Sequence, residues 1–181
     1  MKKIGVLAFA FLIFFLTFSI SFAKSNLAAA QEISPTPVPQ ADYELPYPGL
    51  LPDSPLYFLR MIRDRAISFL ISDPLKKSEF DLLQADKRLN AGIYLFNKGK
   101  ISLALSTISK AENYFEQALV KMGEAKIQGK SINEIEKKLR NALKKHRQEL
   151  EYMTQKVSKN IKGNFEREQE RLASFEERLN R

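Results

Sequence analysis

His146 is the one histidine in a chain of 181 residues that has no cysteine, so any imidazole chemistry must be done by this one ring. It sits in Lys144-Lys145-His146-Arg147. A catalytic imidazole needs a nucleophile to activate and a carboxylate to orient it, and the adjacent cations favour its neutral form. Its place in the apolar register of a helix makes it a half-buried packing residue. A zinc site built on cysteines or on two histidines is excluded. No Gly-rich phosphate loop, acidic calcium loop or His-Glu-x-x-His occurs. The carboxylates Glu79, Asp81 and Asp86, then Glu166, Glu168, Glu170, Glu176 and Glu177, lie among Lys and Arg, as Glu166 and Glu170 do beside Arg167 and Arg171. Mixed charges at helical spacing describe solvated faces. The expectation is therefore a protein that is not an enzyme, with no catalytic residue, cofactor, metal or small-molecule substrate.

The basic excess is the stronger chemical signal. Lys and Arg number 29 against 21 Asp and Glu, a net charge of +8. Lys137, Lys138, Arg140, Lys144, Lys145 and Arg147 form a run suited to polyanions, either anionic membrane lipids or wall polymers. No aromatic residues interleave with it as base stacking requires, so no nucleic acid is expected.

These residues must be carried by helices. Asp53 or Ser54 can cap a first helix with Pro55 at its opening position. Its apolar residues Leu56, Leu59, Ile62, Ala66, Phe69 and Leu70 recur at helical spacing. Asp73-Pro74 repeats the same start, and Lys98-Gly99 ends a second helix. A third carries Ile101, Leu105, Ile108, Ala111, Phe115 and Met122, and stops at Gly123 or Gly129. Ser131-Ile132-Asn133-Glu134 has the pattern of a capping box and opens a long helix over 131–181. Its stripe runs through Ile132, Ile135, Leu139, Leu143, His146, Leu150, Met153, Val157 and Ile161, then Leu172, Phe175 and Leu179. A helix of ~50 residues would be ~75 Å long, so its second half must project, pair with another chain or bend at Gly163. Leu150, Met153, Val157, Ile161, Leu172 and Phe175 are the candidate partner-binding and self-association residues, with a homodimer as the expected state.

The flanking segments speak to location. Met1-Lys2-Lys3, the uncharged run Ile4 to Phe22 and the small residues of Ser21-Phe22-Ala23 follow the order of a secretory signal over 1–23. The same run is long enough to stay as an uncleaved anchor. Either way the remainder is expected outside the cytoplasm, in the cell envelope or secreted. Residues 24–42 form a Pro-, Ala- and Ser-rich spacer. Tyr43 to Pro55 is too rich in proline for helix yet apolar. It reads as a strap lying across the helical domain of 43–130, or else as an exposed strand for a partner.

Leu50-Leu51-Pro52-Asp53-Ser54-Pro55-Leu56-Tyr57-Phe58-Leu59, Asp73-Pro74 with Lys76-Lys77, Ala85-Asp86-Lys87-Arg88-Leu89, Lys98-Gly99-Lys100 and Ala111-Glu112-Asn113-Tyr114-Phe115 are similar to a bacterial domain of unknown function, the family numbered 5667. The resemblance covers Tyr43 to about Gly129. It implies an exported or membrane-attached helical protein and brings no activity or site residues. The fold class is all-α: a small bundle of three helices plus a long C-terminal helix with coiled-coil character. The expected function is a non-enzymatic interaction or scaffold protein of the envelope. The alternatives are an electrostatic binder of lipid or wall polyanions and an extracytoplasmic helical chaperone or stress sensor.

Overall fold

The computed structural model describes residues 43–181 and is all-α. Five helices follow one another: α1 Tyr57–Leu70, α2 Pro74–Asn97, α3 Ile101–Ile127, α4 Asn133–Lys156 and α5 Lys159–Leu179. The expected signal segment 1–23 and spacer 24–42 lie outside the described residues. No described helix is long and apolar enough to cross a membrane.

The α2–α3 hairpin is the best-packed pair, and its ends are written in the sequence. Asp73 caps α2 by accepting from the amides of Leu75 and Lys76 at 2.8 and 3.1 Å, beside Pro74 at the opening position. At the other end Gly99 takes φ +74°. Its amide bonds Phe96 O and that of Lys100 bonds Leu95 O, each at 2.9 Å, closing the last turn as a Schellman motif. Midway, Gly92 lets α3 come close: a Cβ there would lie 2.5 Å from Ile108 Cγ1. Ser78 Oγ donates to Ala118 O at 2.7 Å across the same seam.

The expected long C-terminal helix is two helices. Val157 leaves the helix with ψ 156° and Ser158 follows at φ −67°, ψ 154°. The amides of Ile161 and Lys162 then bond Ser158 O to start α5. The chain turns here and not at Gly163, which is ordinary helix interior with open space around it. Serine at a helix start favours extended backbone. Turning back lets Phe165, Leu172, Phe175 and Leu179 close over the core, where all four are buried.

The result is a ring of four helices, with α2 against α3, α3 against α5, α5 against α4 and α4 against α2. Leu89, Leu95, Ile108, Phe115, Leu139, Leu150 and Leu172 fill it, all fully buried. Phe115 stacks on Phe175 at 5.5 Å between centroids, and Phe96 meets Phe165 edge-on at 6.1 Å. The bundle thus excludes the first helix, which was expected within it. The expected capping box at Ser131 is absent, since α4 opens at Ile132 with no side-chain cap. Before α1, which opens at Leu56, Ser54 Oγ accepts from the Leu56 amide at 3.4 Å. Asp53 pairs instead with Lys98 and Lys100 at 3.3 and 2.8 Å.

Candidate functional site

His146 is completely buried, on the inner face of α4. Its Nδ1 lies 3.0 Å from Glu112 Oε1 of α3, and its Nε2 lies 3.1 Å from Asp86 Oδ1 of α2. A carboxylate on each side leaves neither nitrogen an acceptor role, so both donate and the ring is imidazolium. Burial opposes that charge, but the two carboxylates outweigh it and push the pKa up to about 10. The neutral, half-buried ring expected from the neighbouring cations is corrected here. Two of those cations are engaged elsewhere, Lys145 by Glu149 and Arg147 by Glu176, and the groups that set the ring's charge come from α2 and α3.

The cluster continues outward. Tyr43 of the strap donates its hydroxyl to Asp86 Oδ2 at 2.6 Å. Burial first, and the Asp86 charge second, raise the Tyr43 pKa well above the phenol range. Phe115 meets the imidazolium edge-on at 5.1 Å. Glu112 Oε2 has no hydrogen-bond partner. Chemically this is a charge cluster that ties the strap to three helices. A general base must keep one nitrogen free to reach substrate, and here both are held by carboxylates in a closed core. Among the described residues no group of His, Asp and Glu is arranged to hold a metal.

The residues expected to bind a partner are placed inside the chain's own core. Leu150, Met153, Leu172 and Phe175 are buried, while Val157 and Ile161 are half-buried against that core. They meet α2, α3 and one another once α5 folds back, so the C-terminal segment presents no free apolar stripe of these residues. The basic run is largely neutralised locally. Lys138 pairs with Glu79 at 3.6 Å, Arg140 with Glu136 at 2.8 Å, Lys145 with Glu149 at 2.6 Å and Arg147 with Glu176 at 2.7 Å. Lys137 and Lys144, two turns apart on α4, are the members of the run without an ion pair among the described residues. A groove of about 820 Å3 between α3 and α5 is lined by Ser102, Ser106, Ser109, Arg167 and Arg171. Its arginines are occupied by Asn164, Glu168 and Asn113.

The family model described as "Domain of unknown function (DUF5667)" matches residues 49–180. The chain belongs to this family. The DUF5667 match runs through α4 and α5, beyond the boundary near Gly129 read from the sequence, so the four-helix ring lies within the family's domain. No curated protein and no solved structure matches the chain.

Within the DUF5667 domain, α1 is the element whose surface is unexplained by packing. Its two buried residues are polar: Arg60 and Asp64, 3.5 Å apart as an i,i+4 pair. Arg60 also donates to Pro48 O and, at 2.8 Å, to Leu50 O of the strap. Ser68 accepts from Lys77 of α2 at 2.7 Å. The apolar residues face outward, with Phe58 52 %, Leu59 52 %, Ile62 61 %, Phe69 88 % and Leu70 77 % exposed. The stripe that the sequence shows on this helix is real, and it points to solvent. Little in the sequence signals this orientation, because Arg60 and Asp64, four residues apart, can pair along the helix whichever side is buried. The strap is divided likewise. Tyr43 and Leu45 lie against the core, whereas Tyr47 and Leu50 are exposed.

Proposed function

We propose that the chain acts outside the cytoplasm as a non-enzymatic docking domain of the cell envelope, and that α1 is its recognition element. The observation that carries this reading is the orientation of α1, polar side in and apolar side out. Soluble domains rarely leave so many large apolar side chains together in water, and such patches mark interaction surfaces. The four-helix ring then serves as a rigid carrier, held by its charge cluster. The uncharged run Ile4 to Phe22 supports export, and the sequestered His146 supports a role without catalysis.

The test is retention of the Lys24–Arg181 chain on envelope extract, washed at low and then at high salt. Retention through high salt, removed by Ile62→Asp with Phe69→Asp, is the expected result. Retention that salt abolishes and that ignores the α1 substitutions would transfer the function to Lys137 and Lys144. No retention under either wash would reject docking. Export is checked separately by protease accessibility of the chain in intact cells, and a fully protected chain would refute the location.

A further inference from the structure

We propose that the occupant of the outward face of α1 is the surface of an anionic lipid bilayer, in which the helix lies parallel to the plane; this rests on α1 being the docking face. On a helix of about 3.6 residues per turn, Phe58, Phe69, Ile62, Ala66, Leu59 and Leu70 fall side by side in one continuous arc. Arg65 borders that arc on one edge and Arg63 on the other. The side chain of Arg63 is 63 % exposed even while it touches Asp64 at 2.8 Å. Arg65 is exposed and makes no ion pair among the described residues. This is the pattern of an interfacial helix: an apolar face that sinks to the acyl boundary, with cations on both flanks at headgroup depth.

Charge complementarity favours lipid over a protein groove. The helix carries three arginines against one aspartate, and Arg60 and Asp64 are paired on the far side. What remains at the surface is cationic and apolar, with no carboxylate or amide to register a specific protein partner. At 14 residues the helix is ~21 Å long, so it can lie on a bilayer and cannot span one. The polar bonds from Arg60 to the strap and from Lys77 to Ser68 fix which side faces out.

The absence of cysteine allows a clean test on the full chain. Ile62→Cys on α1 and Glu177→Cys on α5 are each labelled with an environment-sensitive fluorophore. Each is mixed with vesicles of phosphatidylglycerol and phosphatidylcholine, with and without brominated acyl chains. The expected result is a blue shift and bromine quenching at position 62, with position 177 unchanged. Arg63→Glu with Arg65→Glu should weaken partition on the order of tenfold or more, as should vesicles of phosphatidylcholine alone. Vesicle-bound chain whose label at 62 stays in water overturns the proposal. So does quenching at both positions alike. Shielding of 62 by envelope extract but not by vesicles would leave α1 a docking face and remove lipid as its occupant. A label at 62 shielded before lipid is added, with or without cross-linking between copies through the introduced thiol, would reject both readings.

Discussion

Buried between Asp86 and Glu112, His146 is the residue on which the interior electrostatics turn. Its pKa is raised in the folded state from the ordinary imidazole value of 6.5 to about 10. A group raised in this way stabilises the fold fully below its unfolded pKa, and that contribution fades as pH climbs through the folded value. The urea midpoint should therefore decline from near-neutral pH toward about 10, and His146→Gln should flatten that decline. His146→Ala leaves Asp86 and Glu112 facing each other without a cation, and should cost ~3–5 kcal/mol in equilibrium unfolding. The ring's register on α4 was readable from the stripe Leu139, Leu143, His146 and Leu150. Its charge was not, because the deciding carboxylates lie 60 and 34 residues away in the chain. Asp86 and Glu112 do occupy core register, between Leu82 and Leu89 and between Ile108 and Phe115, and a charged residue so placed is the clue to a buried pair.

At the scale of elements, local chemistry marks ends well and directions poorly. Asp73-Pro74, Gly99 and Gly129 delimit α2 and α3 because capping is a short-range effect. The turn at Val157–Ser158 has no glycine or proline to announce it, and it exists because Leu172 and Phe175 gain burial by returning. Ser158→Pro tests it directly. Ser158 already has φ −67° after an extended Val157, so proline should be neutral or stabilise by ~0.4–1 kcal/mol. In a continuous helix it would cost ~3 kcal/mol, and chemical denaturation separates the two. Gly92→Ala should cost ~1–3 kcal/mol by overpacking Ile108. Adding Ile108→Val should recover part of it, as a double-mutant cycle would register.

Across the whole molecule, apolar residues divide into those that hold the ring and those that do not. Leu150→Glu and Phe175→Ala should unfold the protein or cost it ~3–5 kcal/mol, as thermal melts would show. Ile62→Asp and Phe69→Asp on α1 should shift stability by less than ~0.5 kcal/mol, although all four positions look alike in a hydropathy plot. Amphipathic spacing identifies a stripe, but only tertiary contact says whether core or surroundings receive it. The fold class and helices α1 to α3 were legible for that reason; the division of the last helical stretch into α4 and α5 and the orientation of α1 were not.

The bonds that hold α1 have a kinetic corollary. Arg60 on two strap carbonyls and Lys77 on Ser68 are polar links at the surface of the ring, with little apolar area to lose when they break. Regions of that kind open far below the global unfolding free energy. In deuterium exchange, the amides of Tyr57–Leu70 should lose protection first, while those of α2 through α5 hold theirs until the ring itself opens. The domain would then carry a detachable latch on an otherwise cooperative body, one that can swing without disturbing the charge cluster beneath the strap.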